Sequence, residues 1–154
     1  MLKILDRLDE LKITLPKAVA PVNNYSGFVN SGSKIYISGQ LPLEKGKLLF
    51  PGKVGSEVSI EDAQKAARIC AINVLAQLKA SCEGNLRRVS RCIKLTIFVN
   101  AEPDFKDHPT VANGASDLIV AALGDAGKHA RAAVGCVSLP RGACVEVEAI
   151  FQID

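Results

Sequence analysis

The chain contains no tryptophan, one methionine and two histidines, and aromatic residues make up only 5% of it. Aliphatic residues supply the apolar content instead, since hydrophobic residues make up 48% and charged residues 23% of the 154 positions. This composition is typical of a compact globular protein and excludes a disordered or fibrous one. Because a chain of this length buries roughly two-thirds of its unfolded surface, a single domain over residues 1–154 is expected.

A strongly basic character is also missing. The net charge is +3 and the sequence pI is about 8.6. The densest basic group, Arg87, Arg88 and Arg91, has no aromatic residues interleaved with it and is typical of a solvated helix end. A nucleic acid is therefore not an expected partner, because nucleic-acid surfaces carry a clear basic stripe.

Motifs for metals, disulfides and nucleophiles are absent too. The five cysteines include no CxxC pair, their odd number prevents complete pairing, and neither His108 nor His129 has metal-ligand spacing. There is no Gly-rich phosphate loop and no Gly-x-Ser-x-Gly elbow. Cys136 and Cys144 flank the last predicted turn, where buried strand thiols are favoured over a disulfide. The sequence predicts reduced, buried thiols and no metal site.

The N-terminal segment, residues 1–15, predicts a short amphipathic helix. Leucines recur there at a helical interval, at Leu2, Leu5, Leu8 and Leu11. The apolar run is too interrupted for a signal peptide or a membrane span, and the acidic residues of the segment are unlike a mitochondrial transit peptide. A cytoplasmic location is expected.

Periodicity and turn residues predict the remaining elements. Tyr25–Gln40 alternates around an Asn-Ser-Gly-Ser turn and indicates a hairpin, followed by a loop from Pro42 to Ser56. Ser59 caps a long Ala-rich helix that stops near Gly84, and Arg91–Val99 alternates strictly, with Ile93 on the apolar side of a strand. A second helix covers Pro109–Leu123, ended by Gly124, and Arg131–Phe151 predicts a final hairpin.

The resulting order, β-β-α-β-α-β-β, is an α+β fold whose two long helices pack on one face of a mixed sheet. The opposite face is too apolar for bulk water and too polar for a sealed core, with Tyr36, Ser38, Lys94, Thr96, Phe98, Cys144, Glu146, Glu148 and Ile150. Such a face predicts self-association, and clefts between copies are a common location for small-molecule sites.

Charged side chains in the last predicted hairpin are expected either to pair with each other or to serve a function, because most of the other residues there are small or apolar. Arg131 precedes a run of small residues, and Glu146 and Glu148 lie within a Val/Ile strand. Two interpretations are open: a structural ion pair across the hairpin, or a site for a ligand.

Three segments together resemble the RidA/YjgF family of reactive intermediate imine deaminases, also called the endoribonuclease L-PSP family. They are NYSGFVNSGSKIYISGQLP, KLTIFVNAEPDFKDHPTVANG and HARAAVGCVSLPRGACVEVEAIF, which occur in the family's order over most of the chain after residue 15. The resemblance implies a chorismate-mutase-like fold, a homotrimer with sites between subunits, and hydrolysis of imino or enamine acids such as 2-aminoacrylate without a cofactor.

The resemblance also implies roles for individual residues. Arg131 corresponds to the residue that holds the substrate carboxylate, and Glu146 to the acid that handles the attacking water. The expected lining of the substrate site is Tyr25, Ser38, Gly39, Asn113 and Ala133. For Tyr25 an ordinary packing role is an equally open interpretation, as is a capping or loop-bridging role for Asn113. A guanidinium fork suits a carboxylate, and a partly desolvated Glu suits proton transfer.

The sequence departs from the family at several places. Ala133 replaces a Cys found in many active relatives, the usual Pro before Ala130-Arg131 is missing, and the loops Leu43–Ser56 and Gly124–Lys128 are longer. A binding module that holds a small metabolite without turnover is therefore a rival to the enzyme. An endoribonuclease or translation inhibitor is a second rival, against which the weak positive charge argues.

Overall fold

The computed structural model describes residues 3–154. Its helices and strands are α1 (Ile4–Glu10), β1 (Phe28–Ser31), β2 (Lys34–Gln40), β3 (Leu43–Glu44), β4 (Lys47–Leu48), α2 (Ile60–Ser81), β5 (Val89–Asn100), α3 (His108–Leu123), β6 (Ala130–Cys136) and β7 (Val145–Ile153). Five strands form one mixed sheet in the order β1-β2-β7-β5-β6. The α+β architecture is thus as the sequence predicts.

The two long helices begin and end where their capping residues lie. The Ser59 hydroxyl accepts a hydrogen bond from the Asp62 N–H (3.1 Å) at the start of α2. Gly124 follows α3 with a φ of 64°, which favours glycine. α2 packs on β2 and β7, while α3 packs on α2, β5 and β6. One face of the sheet is thereby covered by both helices.

The last strand pair differs from the predicted hairpin. β6 pairs in parallel with β5, whereas β7 lies between β2 and β5 and is antiparallel to both. The prediction that Arg131–Phe151 forms a hairpin is wrong because α3 carries the chain from β5 to a parallel neighbour, as in a β-α-β unit. β6 is consequently an edge strand of the sheet.

A bulge alters the predicted face of β5. The pairing with β7 shifts between Cys92 and Lys94, so Cys92 takes the buried position and Ile93 is only half-buried. The expectation that Ile93 shares the apolar side with Leu95 is therefore wrong. From Leu95 onward the strict alternation holds, and Leu95, Ile97 and Val99 are buried against the helices.

Two further differences concern the loop and the N-terminal helix. The predicted loop from Pro42 to Ser56 contains the β3-β4 hairpin, whose turn residues Lys45 and Gly46 both have positive φ (50° and 77°). α1 buries Ile4 and Leu8, whereas Leu5 is 47% exposed. The predicted leucine face is therefore shifted, and Leu2 lies outside the described residues.

The face of the sheet opposite the helices is left uncovered by residues 3–154. Eight residues predicted for this face are exposed or half-buried, namely Tyr36, Ser38, Lys94, Thr96, Phe98, Glu146, Glu148 and Ile150. Cys144 was predicted among them and is instead buried, because it precedes β7 and its carbonyl accepts from the Asn100 N–H. We call this surface the open face. Among residues 3–154, no helix is long and apolar enough to span a membrane.

Candidate functional site

Arg131 lies on the helix side of edge strand β6. In the parallel pairing it is adjacent to Leu95, which is buried under the helices. Its Nη1 donates hydrogen bonds to the Asn113 Oδ1 (2.8 Å) and to the Ser116 Oγ (3.2 Å), both on α3. Because only Nη1 makes side-chain hydrogen bonds within residues 3–154, the remaining donors of the exposed guanidinium are available to bind a ligand.

Ser116 and His129 form a second layer behind the guanidinium. The Ser116 Oγ is 3.0 Å from the His129 Nε2, and the His129 Nδ1 lies within hydrogen-bond distance of the Gly127 carbonyl. Since a carbonyl only accepts, Nδ1 carries a proton and donates it to the Gly127 carbonyl, and in that neutral tautomer Nε2 accepts from the Ser116 hydroxyl. Ser116 was not predicted as a site residue, although its i, i+3 spacing from Asn113 on one helix was a usable signal.

Ala133 lies on the same side of β6 as Arg131, two residues further along. It is adjacent to Ile97, which is buried, so its methyl group faces α3 and not the open face. We refer to Arg131, Asn113, Ser116 and Ala133 as the Arg131 cluster. It combines a cation, polar acceptors and a small residue at an exposed edge of the sheet.

Glu146 lies on the other face of the sheet. It pairs with Phe98 between the buried residues Val145 and Val147, so its side chain projects onto the open face. Burial raises the pKa of its carboxyl above the usual 4.5, and the neighbouring Glu148 raises it further. A carboxyl with a raised pKa binds a proton more readily, which suits a group that accepts a proton and returns it.

Ser38 and Gly39 lie beside Glu146 at an irregularity in β2. The pairing of β2 with β7 shifts between Ile37 and Gln40, which places Gly39 against the Glu146 side chain, where a Cβ would overlap with Oε1. The Ser38 Oγ donates to the Ser26 carbonyl (2.6 Å). Ser38, Gly39 and Glu146 form the Glu146 cluster.

Tyr25 precedes β1 and is 59% exposed. Its neighbour Ser26 is bonded to Ser38, so the backbone at Tyr25 lies close to the Glu146 cluster. No hydrogen bond among the described residues fixes the Tyr25 hydroxyl. Its position is compatible with a cleft that borders the open face.

The two clusters do not meet within one chain. β5 separates β6 from β7, and the Arg131 and Glu146 side chains project from opposite faces of the sheet. An ion pair between Arg131 and Glu146 across a hairpin is therefore wrong. No carboxylate forms a salt bridge with Arg131 within residues 3–154.

The predicted burial is confirmed for four of the five thiols and is wrong for Cys136. All five cysteines are free, and Cys136 alone among them is half-buried while the others are buried. Burial raises the pKa of Cys92 to about 12 and that of Cys144 to about 11. Such thiols are poor nucleophiles. Among the described residues, no group of three or more His, Cys, Asp or Glu side chains is placed to hold a metal ion.

A family model described as "YjgF/chorismate mutase-like, putative endoribonuclease" matches residues 6–151. Among curated proteins, Protein TCP17 of Trypanosoma cruzi is 43% identical, covering 99% of this chain and 95% of its own. The 2-iminobutanoate/2-iminopropanoate deaminase of Mus musculus is 34% identical, covering 90% of this chain and 87% of its own.

Solved structures of similar fold extend over almost the whole chain. The protein Atu1372 of Agrobacterium tumefaciens, of unknown function, is 50% identical with a TM-score of 0.92, covering 98% of this chain and 92% of its own. A putative endoribonuclease of Shewanella oneidensis is 31% identical with a TM-score of 0.93, covering 97% of this chain and 99% of its own.

Proposed function

The chain belongs to the RidA/YjgF family, and from that premise we propose that it hydrolyses 2-imino acids and their enamine forms to 2-ketoacids and ammonia. The single observation that carries the proposal is the Arg131 guanidinium, oriented by α3 and unpaired with any carboxylate of residues 3–154. Such a group at an exposed edge is suited to bind a small carboxylate.

Arg131 binds the substrate carboxylate through the donors that Asn113 and Ser116 leave free. The fork of the guanidinium provides two parallel charge-assisted hydrogen bonds, which a Lys ammonium does not reproduce. Asn113 and Ser116 fix the side chain before the substrate arrives, so less conformational entropy is lost on binding. The carboxylate is thereby oriented, and C2 of the substrate with it.

Glu146 handles the protons of hydrolysis. It accepts a proton from the water that attacks the electrophilic C2 carbon, forming a C2–O bond and converting the protonated imine into a tetrahedral amino alcohol. It then returns the proton to the amine, and the C2–N bond breaks to release ammonia while the regenerated Glu146 carboxylate takes the proton of the C2 hydroxyl, which leaves the 2-ketoacid. General acid-base assistance of this kind is worth on the order of 10²- to 10⁴-fold.

The reaction requires two copies of the chain, because Arg131 and Glu146 project from opposite faces of one sheet. In the proposed homotrimer, the Arg131 cluster of one copy faces the Glu146 cluster of the next. Tyr25 and the backbone at Gly39 then border the cleft. The partly apolar open face supports this arrangement, because it needs a cover.

An assay with a coupled source of imine tests the proposal. An amino-acid oxidase or a dehydratase generates the imino acid, and semicarbazone formation is followed with and without this protein. Arg131→Ala is expected to lower the acceleration at least about 100-fold, because each hydrogen bond to a charged group is worth about 1.5–3 kcal/mol. Arg131→Lys is expected to recover only part of the activity. The matched control is Arg87→Ala, at an exposed residue away from both clusters.

The rival functions give different results in the same experiment. Binding of a 2-ketoacid without any acceleration of imine hydrolysis supports the non-catalytic metabolite-binding trimer, a function that Ala133 favours. Cleavage of RNA that survives Arg131→Ala supports the endoribonuclease named in the family description. Hydrolysis of imines that is unchanged in Arg131→Ala contradicts the site proposed here.

A further inference from the structure

His129 lies just before β6, two residues ahead of Arg131, and has no part in the reaction as proposed above. It stands where the family usually has the Pro that this sequence lacks. The residue is half-buried, and its ring contacts the Ser116 hydroxyl on α3 and the Gly127 carbonyl. A Pro has no polar side-chain atom and makes neither contact.

The acceptor of the His129 Nδ1 proton is fixed by close packing. Gly127 is buried at the end of the short 3₁₀ helix Gly124–Gly127, which follows α3. An added Cβ at Gly127 would be 2.6 Å from the Ile119 carbonyl oxygen, so this segment packs directly on the backbone of α3. Because the Gly127 carbonyl only accepts, the proton is held on Nδ1, and Nε2 of the neutral ring is an acceptor.

The acceptor at Nε2 determines the direction of the Ser116 hydroxyl proton. The hydroxyl has one proton and two lone pairs, whereas the Arg131 guanidinium has donors only. The proton therefore goes to the His129 Nε2 (3.0 Å), and a lone pair accepts from the Arg131 Nη1 (3.2 Å). Without an acceptor at Nε2, the hydroxyl is free to donate to a carbonyl of the preceding helical turn, as serines within helices do. The hydrogen bond from Arg131 is then weakened.

The two N–H bonds of the Arg131 Nη1 have one acceptor each. One hydrogen bond goes to the exposed Asn113 (2.8 Å) and the other to the half-buried Ser116. Two acceptors on one nitrogen fix the plane of the guanidinium, whereas a single acceptor leaves the group free to rotate about that bond. In the fixed plane, Nη2 and Nε form the edge available to a carboxylate, and a bidentate pair requires both donors at once.

We propose that His129 is a positioning residue for substrate binding: through Ser116 it holds the Arg131 guanidinium in the plane in which it binds a carboxylate. This inference rests on the proposed function, which assigns the substrate carboxylate to Arg131. His129 acts through Ser116 and not on the reacting atoms. Because Arg131 holds the carboxylate in both the ground state and the transition state, loss of His129 raises KM and leaves kcat largely unchanged.

Variants of both histidines in the coupled imine assay test this role. His129→Phe keeps a ring but has no acceptor at the Nε2 position, and is expected to raise KM about tenfold with kcat kept within about threefold, as for one lost hydrogen bond to a charged group. His129→Gln places an amide oxygen near that position and is expected to recover most of the loss. His108→Phe, the same substitution at a histidine whose ring packs on Phe105, is the matched control and leaves KM unchanged.

A double variant distinguishes positioning from a general loss of packing. If His129 acts through Ser116, then Ser116→Ala raises KM as His129→Phe does, and the two substitutions together raise it no further. If His129 supports the fold independently of Ser116, the two effects multiply, which overturns the proposal. A KM that His129→Gln does not recover also overturns it. If His129→Phe does not fold, as urea unfolding shows, His129→Leu takes its place with the same expectation.

Nuclear magnetic resonance of the ligand-free protein separates this proposal from the proposed function. Rotation about the Arg131 Cζ–Nη1 bond is expected to be at least about threefold faster in His129→Phe, because one of the two hydrogen bonds that oppose it is weakened. If imines are hydrolysed and His129→Phe leaves KM unchanged, the positioning role is overturned while the proposed function stands. If no imine is hydrolysed, the proposed function fails and the rotation rate decides. A faster rate in His129→Phe then supports the positioning role, and an equal rate overturns it.

Discussion

The Glu146 carboxyl is half-buried on the open face, and Glu148 lies two residues along the same strand face. Burial and the Glu148 carboxylate both raise the pKa of Glu146, since each disfavours the ionised form. The folded chain therefore holds this carboxyl protonated to a higher pH than the unfolded chain does. Its contribution to stability is present in acid and is lost as the pH rises through the folded pKa.

Glu146→Gln is expected to separate activity from stability. Imine hydrolysis falls by about 10²- to 10⁴-fold, because the group that transfers the proton is removed. The free energy of unfolding increases at neutral pH and is nearly unchanged in acid, because Gln removes an unfavourable ionisation. Urea unfolding at both pH values, together with the imine assay, measures the two effects.

Glu148→Gln is the matched control on the same strand. It removes the neighbouring charge, so the pKa of Glu146 falls and the acidic limb of the pH–rate profile moves to lower pH while most activity is kept. A Glu146→Gln variant that is less stable than the wild type at neutral pH would contradict this account of the carboxyl.

At the residue scale, the sequence predicts chemistry better than geometry. The unusual placement of Arg131 and Glu146 among small and apolar residues identifies both as candidates. The residues that contact them could not be predicted in this way, because Ser116 contacts Arg131 only through the packing of α3 on β6. A surface cavity that Phe105 and His108 help to line likewise depends on where the segment between β5 and α3 lies, which no local pattern specifies.

At the level of elements, the contact between α2 and α3 depends on one glycine. Gly114 lies on α3 where an added Cβ would overlap with the backbone carbonyl oxygen of Gln64 on α2. The Gln64 Nε2 also donates to the Thr110 carbonyl at 2.8 Å. Because the obstacle is backbone, a side-chain rotation does not relieve it.

Gly114→Ala is therefore expected to destabilise the protein by at least about 2 kcal/mol, despite the better helix propensity of alanine. Thr110→Ala, at an exposed position of the same helix, is the control and changes stability by no more than about 0.5 kcal/mol. Urea unfolding midpoints measure both variants. A Gly114→Ala variant as stable as the wild type would show that α2 and α3 can move apart at this contact with little loss of free energy of unfolding.

The helices were more predictable than the strand pairing. Ser59 and Gly124 have the residue types that begin and end helices, so the ends of α2 and α3 follow from local signals. The pairing partner of β6 does not follow from local signals, because two apolar strands joined by a Pro-Gly turn are compatible with either a hairpin or separate positions in the sheet. The bulge that turns Ile93 away from the core depends in the same way on the pairing with β7.

At the scale of the whole molecule, the proposed site is divided between two faces of one sheet. The family and the α+β fold were predictable, because three separated segments carry the resemblance. The division of the site between the two faces was not predictable, because it depends on which side of β6 carries Arg131. That side depends in turn on the parallel pairing of β6 with β5.

The division predicts complementation between two inactive variants. Arg131→Ala and Glu146→Gln are each expected to be nearly inactive alone, but in the proposed homotrimer a mixed assembly contains sites with Arg131 from one copy and Glu146 from the next. Random assembly of an equal mixture makes about a quarter of the sites intact, since each of two adjacent copies has an even chance of being the required one. Co-refolding followed by the imine assay measures this recovery.

A mixture of Arg131→Ala with Arg131→Lys is the control and regains no more than the average of its components. Absence of recovery in co-refolded trimers would place both residues in one copy's site. Light scattering of the same samples reports the number of chains in each particle.

The placement of Arg131 and Glu146 on opposite faces also implies a dependence on dilution. In the proposed homotrimer, a chain that dissociates from its neighbours retains only unmatched halves of the reaction centre. The turnover of each chain should therefore decline as the protein is diluted below the dissociation constant of the assembly, with the circular dichroism spectrum largely preserved. Cellular abundance would then regulate the activity with no dedicated effector.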